Sequence, residues 1–289
     1  MQSKERWTVG KVLIWAKGFL EKKGVSAHQR EAEEMLSSVL NLDRVGLYTS
    51  LDRPMDEKEL HTYKEMLKRR IKGEPLQYIT GFEQFWKYRF KVGPEVLIPR
   101  PETEVLVAQA IGFLDQLNED TPLICDVGTG SGAILLSILA DRPQTQGIGT
   151  DVSLPALKVA HENSELLKVN ERCQLVCTSL MDALRQEERF NLITANMPYV
   201  KTDEIQSLQQ EVKREPITAL NGGKDGLFWI SKLVIQAPRY LKRGGMLAIE
   251  LAPEQREKAL LLFKGRGLGG IKVVEDQWGR SRVITAIKE

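Results

Sequence analysis

Seven residues, Asp126-Val127-Gly128-Thr129-Gly130-Ser131-Gly132, restrict the folds open to this chain more than any other stretch. They join an apolar, strand-like run at 123–127 to an apolar helical run at 133–140. Three glycines in five positions let the backbone turn sharply and let a ligand approach it closely. From residue 121 onward the same alternation repeats. Strand-like runs at 146–151, 174–178, 190–195 and 246–251 are interleaved with helical runs at 154–167, 226–241 and 253–264. Such alternation predicts a doubly wound α/β fold on a mostly parallel sheet. Residues 271–278 and 281–288 flank a short turn containing Gly279, which predicts a closing antiparallel pair.

The first part of the chain has a different texture. Val9, Val12, Leu13, Ala16, Phe19 and Leu20 recur at helical spacing, and Gly24 ends that run. Ser26 with Gln29 predicts a capping box opening a second helix, and Asp56 with Glu59 predicts another, whose helix reaches about residue 72. Residues 43–48 read as a short helix between them. Glycine and proline then punctuate 73–81, and 85–92 alternates as a hairpin does. At 289 residues the chain is long for one small core. We expect an N-terminal helical substrate-docking domain over 1–82, a β-hairpin linker over 83–98 and an α/β domain over 99–289. A further apolar helix is expected from about 103 to 117.

Several classes fall away. No apolar run approaches the ~18 residues of a membrane span, and the N-terminus leads into no signal-peptide core. The expected location is cytoplasmic, with no membrane contact. Cys125, Cys173 and Cys177 are an odd, sparse set in strand-like contexts, which suits buried reduced thiols rather than disulfides or zinc. No His/Cys cluster has ligand spacing, so no metal is expected. A net charge of +2 does not argue for nucleic acid. Residues 1–92 nevertheless hold 18 Lys/Arg against 13 Asp/Glu. Lys64, Lys68, Arg69, Arg70 and Lys72 read either as a solvated helix end favoured by the macrodipole or as a patch for a polyanionic or ribosome-associated partner.

The glycine turn reads Gly-x-Gly-x-Gly and has neither the Gly-x-Gly-x-x-Gly of dinucleotide folds nor the Lys-Ser/Thr of a P-loop. That favours S-adenosylmethionine over a nucleotide with phosphates, with Asp126 balancing its charges. Asp151 ends the second strand, 19 residues after Gly132, where a carboxylate can accept from both ribose hydroxyls. Asn196-Met197-Pro198-Tyr199 follows the strand at 190–195. These groups suit a planar NH2. Its nitrogen is a poor nucleophile because its lone pair is delocalised. Asn196 offers Oδ1, Met197 offers a carbonyl held extended before proline, and Tyr199 offers a face to pack on. Accepting both N–H hydrogens turns the lone pair outward, so orientation replaces a general base. His28, His61 and His161 lie in helical stretches and are assigned no role. The same box would also suit a flipped adenine, so an adenine-N6 nucleic-acid methyltransferase is the alternative. A non-enzymatic cofactor-binding module is the third reading.

The motifs, taken together, resemble the protein-(glutamine-N5) methyltransferases that modify class-1 peptide chain release factors. The resemblance runs over nearly the whole chain. It includes Gly73-x-Pro75-Leu76-Gln77-Tyr78-Ile79-x-Gly81, Leu97-Ile98-Pro99-Arg100-Pro101-Glu102-Thr103-Glu104, and Glu215-Pro216-x-x-Ala219-Leu220-x-Gly222-Gly223-x-Asp225-Gly226. It implies a Rossmann-like class I S-adenosylmethionine-dependent methyltransferase domain whose seven-stranded sheet is mostly parallel with an antiparallel last strand. It implies that Gly128, Thr129, Gly130, Ser131, Gly132, Asp151, Leu180 and Asn196 bind the cofactor, with Met181 the alternative to Leu180 beside the adenine. Asn196, Met197, Pro198 and Tyr199 would hold the glutamine of a release-factor Gly-Gly-Gln loop, and residues 100–104 would close over the cofactor. The implied partner is a class-1 release factor, met by a monomer without direct nucleic-acid contact. One departure stands out: the family's Asn-Pro-Pro-Tyr reads Asn-Met-Pro-Tyr here. The carbonyl at 197 survives. Asn196 loses its pre-proline restriction and Met197 gains an N–H.

Overall fold

The computed structural model describes residues 6–289; residues 1–5, read above for a signal segment, lie outside the described residues. The chain divides into two compact units, 1–81 with 209–214, and 82–208 with 215–289.

The first unit is helical: α1 (Val9–Lys22), α2 (His28–Leu40), α3 (Arg44–Thr49), α4 (Glu57–Ile71) and α5 (Leu76–Thr80). The apolar face of α1 buries Val9, Val12, Leu13, Ala16 and Leu20 with Ala32, Met35 and Leu36 of α2 and with Tyr63 and Leu67 of α4. The expected box at Asp56 and Glu59 is present in full, with Glu59 N donating to Asp56 Oδ1 at 2.7 Å and Asp56 N to Glu59 Oε2 at 3.0 Å. The expected box at Ser26 is not. Ser26 and Ala27 form a turn, α2 starts at His28, and its N-cap is Ala27, which has no side-chain oxygen to offer.

The basic run that ends α4 is mostly paired. Arg70 is buried, bonded to Glu31 and, at 2.7 Å, to Glu211. Arg69 grips Glu74, and Lys68 meets Glu65 at 2.7 Å. The helix-end reading of this run therefore holds better than a free cationic patch. Removing Arg70 would leave the buried Glu31 carboxylate an uncompensated charge. The segment 209–214 is held here by Arg70 and by Arg214, which donates to Lys72 O at 3.0 Å.

The second unit opens with a hairpin, β1 (Phe82–Phe85) and β2 (Tyr88–Lys91). Trp86 Nε1, Lys87 Nζ and Tyr88 Oη converge on the Asp141 carboxylate at 2.6–2.9 Å, and Lys91 exchanges backbone bonds with the Asn163 side chain. There follow α6 (Glu104–Leu114), β3 (Leu123–Val127), α7 (Ala133–Asp141), β4 (Gln146–Asp151), α8 (Leu154–Leu166), β5 (Cys173–Cys177) and β6 (Phe190–Ala195). The remainder is α9 (Ile217–Leu220), α10 (Phe228–Gln236), β7 (Leu241–Glu250), α11 (Arg256–Phe263), β8 (Leu268–Glu275) and β9 (Ser281–Lys288).

The seven strands lie in the order β5-β4-β3-β6-β7-β9-β8. All pairs from β5 to β7 are parallel, and β9 runs antiparallel to both β7 and β8. This is the expected fold class. Its two apolar layers pack on opposite faces, one built from α6 and α7, the other from α10 and α11. The order reverses at β3, between β4 on one side and β6 on the other, and ligands of open α/β sheets bind at the carboxyl ends of strands at such a point.

One boundary expectation fails. The helical run expected near 226–241 is α10 continued by a 3-10 turn over Ala237–Arg239, but β7 begins at Leu241 rather than 246, because Leu241 pairs with Phe190 across the sheet. Cys125 is buried, but Cys173 is only half-buried and Cys177 is exposed, since β5 is an edge strand.

Candidate active site

The glycine turn leaves β3 at the reversal point. Gly128 N and Thr129 N both donate to Thr150 O of β4, at 2.8 and 2.9 Å, which folds the loop against the neighbouring strand. Gly128, Gly130 and Gly132 all have positive φ, a conformation that side-chain-bearing residues rarely adopt. At the end of β4, Asp151 accepts from Gly130 N through Oδ2 and from Ser153 N through Oδ1, each at 2.9 Å. A carboxylate has about four lone-pair sites, so both oxygens retain acceptor capacity. Burial nonetheless holds the Asp151 carboxyl above its usual range.

One cavity opens over these elements, and the wall includes Gly128, Gly130, Asp151, Leu180, Asn196, Met197 and Pro198. Seven predicted residues from four strand ends thus meet at one place. Thr129 and Ser131 are buried and, with Gly132 and Tyr199, form no part of that wall. Leu180 reaches it from a left-handed backbone at φ 49°, while Met181 is fully buried behind. A Cβ built on Gly130 meets no protein atom within 4 Å, so the space over the loop is open to a ligand. Carboxylate acceptors at Asp151, open space over Gly130 and apolar walls at Val152, Ala156 and Leu180 fit an adenosine group.

The departure at residue 197 has a local explanation. The Met197 side chain is buried, and its Cε would lie 2.6 Å from a Cβ on Gly128. The long side chain thus occupies space that only a glycine at 128 leaves free. The rest of the box is held by its backbone. Gln255, buried at the start of α11, donates from Nε2 to Tyr199 O at 3.0 Å and to Gly226 O at 3.1 Å. Val200 bridges in parallel to Asn221, with Val200 N on Leu220 O and Gly222 N on Val200 O. The Tyr199 phenol is pushed up to about 12, chiefly by burial, so it remains protonated at neutral pH.

Four polar residues beneath the box drew no individual site role in the sequence. Thr103, buried, accepts from Asn196 Nδ2 at 3.1 Å. Glu215, also buried, accepts from Ile98 N at 3.1 Å and pairs with Arg100. Arg100 is thereby engaged by Glu215, and Thr103 by Asn196. This part of the 100–104 segment braces the box. The other two are Gln255 and Glu250. The family-like strings around 100–104 and 215–226 were a signal for the first two, but no spacing rule marks the last two.

Two acids under the site are fully buried. Asp126 accepts from Thr194 Oγ1 at 2.8 Å, leaves Oδ2 without a partner, and is pushed up to about 6 by burial. Glu250, at the end of β7, is pushed up to about 7, again chiefly by burial. The folded state therefore holds a proton on Glu250 that the unfolded chain has released. Stability from the neutral form is full below the ordinary value of 4.5 and is lost as pH rises toward 7. A shift of this size corresponds to about 3 kcal/mol. Glu250→Gln should accordingly melt higher than the wild type at pH 8, with the gap closing by pH 5. Thermal denaturation at both pH values checks this, and a gap independent of pH would contradict it.

The chain resembles known proteins along nearly its full length. Residues 11–81 match the family described as PrmC N-terminal domain, and residues 124–215 match the family described as Methyltransferase domain. The release factor glutamine methyltransferase of Geobacter sulfurreducens is 40% identical, covering 97% of this chain and 96% of its own. The protein of that name from Rhodopirellula baltica is 35% identical over 98% of this chain and 97% of its own. That of Thermodesulfovibrio yellowstonii is 41% identical over 88% and 91%.

Proposed function

The chain belongs to the release factor glutamine methyltransferase family, and we propose that it methylates the side-chain amide nitrogen of the glutamine in the Gly-Gly-Gln motif of class-1 peptide chain release factors. The observation that carries this reading is the Asn196 amide. Its Nδ2 is committed to Thr103, so Oδ1 is the group left for the cavity beside the glycine loop.

Gly128, Gly130, Asp151 and Leu180 would hold S-adenosylmethionine, with Thr129, Ser131 and Gly132 shaping the loop behind them. When bound, the cofactor would supply an electrophilic methyl group on a cationic sulfur. Asn196 Oδ1 and the Met197 carbonyl accept the two N–H hydrogens of the substrate amide, and Pro198 walls its plane, with Tyr199 behind the wall. Held this way, the substrate nitrogen would direct its lone pair at that methyl group. The nitrogen becomes cationic, which strengthens both acceptor bonds, and it then sheds a proton to water. Fixed acceptors cost no reorganisation at that moment, which is where the rate enhancement arises.

The helical unit serves as the docking module in this proposal. On α1, Ile14 and Trp15 are exposed, at 75% and 48%, one residue and one turn from the buried face. Trp15 stacks on Phe19 with ring centroids 5.1 Å apart, which makes a rigid apolar contact surface. Ile14→Glu with Trp15→Ala should raise KM for the release factor by about tenfold, as loss of interface anchors does. Binding of S-adenosylhomocysteine, measured by calorimetry, should stay unchanged. A fall in both would assign α1 a structural role instead.

No helix among the described residues is long and apolar enough to cross a membrane. Acting on a translation factor, the enzyme would work in the cytoplasm, as a monomer and without contacting nucleic acid directly. The decisive experiment is incubation with a class-1 release factor and S-adenosylmethionine, followed by tandem mass spectrometry. A methyl on the Gly-Gly-Gln glutamine, absent when that residue is replaced, is the expected result. Transfer to DNA or RNA and not to protein would overturn the reading in favour of adenine.

A further inference from the structure

Asn196 and Glu250 follow directly on a paired position of adjacent strands, because Ala195 of β6 stands opposite Ile249 of β7. Their side chains therefore leave the sheet side by side. Between them lies Thr103, whose hydroxyl oxygen takes the Asn196 Nδ2 hydrogen at 3.1 Å. Glu250 is fully buried, with Thr103 and Asn196 as its hydrogen-bonding neighbours and with Oε2 lacking any partner. The charged or titratable groups facing it are Arg282 of β9, Glu102 of the turn before α6, and Tyr199. Arg282 is itself committed to Asp276 at 3.0 Å and lies 3.8 Å from Glu102. The transfer chemistry described above does not use this carboxyl.

We propose that Glu250 is a positioning residue that, directly and through the Thr103 hydroxyl, fixes which end of the Asn196 amide faces the cavity. The proposal rests on the functional reading above for its consequence, but not for its geometry. A hydroxyl has one proton to give. An ionised Glu250 can only accept, so Thr103 must donate to it and accept from Asn196 Nδ2. Oδ1 is then the end presented to the substrate. A protonated Glu250 can donate to Thr103. The hydroxyl proton is then free to turn toward Asn196 Oδ1, and the amide can present Nδ2 instead. That end repels a substrate N–H. The same carboxylate that burdens the fold at high pH thus sets the polarity of the acceptor.

The test reads the Asn196 side-chain NH2 signals in protein labelled with ¹⁵N-asparagine, assigned by their loss in an Asn196 variant. No substrate is present. In the wild type both signals should shift through a single transition near pH 7, where burial places Glu250. In Glu250→Gln the transition should vanish; in Thr103→Val, which keeps only the direct Asn196–Glu250 contact, it should shrink, and in Thr103→Ser it should return. On the enzyme, Glu250→Gln should lower kcat at pH 8 by about tenfold, within the range a displaced positioning group costs. The rise of kcat through neutral pH expected of the wild type should flatten, with KM for cofactor changed less than threefold. An Asn196 transition that persists unaltered in Glu250→Gln, or is missing from the wild type, would overturn the proposal. A protein that titrated as described yet failed to methylate a release factor would sink the functional reading and leave Glu250 in this role.

Discussion

Replacing Asn196 by alanine should lower methyl transfer to the release-factor glutamine by about 10²–10³-fold, the loss seen when one preorganised transition-state hydrogen-bond partner is removed. Asn196 sits at the carboxyl end of β6, half-buried in the cavity wall, with its nitrogen held by Thr103. Alanine removes the side-chain acceptor and leaves the Met197 carbonyl alone. One N–H of the substrate would then lack a fixed partner, and the amide could rotate out of line. Binding of S-adenosylhomocysteine should fall by less than about tenfold, because a single lost contact is worth roughly 1 kcal/mol. Initial rates with labelled cofactor, beside calorimetric binding, separate the two effects. Retention of a third or more of wild-type kcat would show that Asn196 does not orient the substrate.

Gly222→Ala should be nearly as damaging although residue 222 lines no part of the cavity. Its Cβ would stand 2.6 Å from Pro198 O, 2.7 Å from Tyr199 Cα and 2.8 Å from Gly226 O. All three are backbone atoms, so no side chain can swing away. Gly222 is not forced into a left-handed conformation, and contact alone decides the outcome. The Pro198–Tyr199 segment must shift, and a displacement of ~1 Å in a reacting constellation costs ~10²-fold in rate. We expect that loss in kcat, a destabilisation of about 1–3 kcal/mol from overpacking, and cofactor binding close to wild type. A variant that melts lower yet keeps its kcat would show that the box tolerates displacement.

The elements that were legible in the sequence are those whose signal is local. The glycine turn, the acid at 151 and the box at 196–199 announce themselves within a few residues, and strand–helix alternation orders them along the chain. The capping box at Asp56 has its partner three residues away and is present as read. The same pattern at Ser26 misleads, because the chain turns through Ser26 and Ala27 before α2 begins. The start of β7 was hidden for a related reason. Lys242-Arg243-Gly244-Gly245 has the composition of a turn, yet Leu241 is already paired with Phe190, about fifty residues back in the chain. Burial was misjudged at Cys177, whose strand context is apolar but whose strand is the sheet edge.

Residues close in the chain specify the doubly wound unit, the helical unit before it and the identity of the groups at the cavity. What holds those groups in place comes from residues far apart in the chain. Thr103 precedes β3, Gly222 belongs to the loop before α10, Glu250 ends β7 and Gln255 opens α11, and all four converge on Asn196–Tyr199. Their convergence follows from the order β3-β6-β7, which sets the ends of strands distant in sequence side by side. Burial at that junction also changes the chemistry. An acid that would be ionised in the unfolded chain is held near neutrality at Glu250, because the packed sheet, and no neighbour in the chain, removes its water.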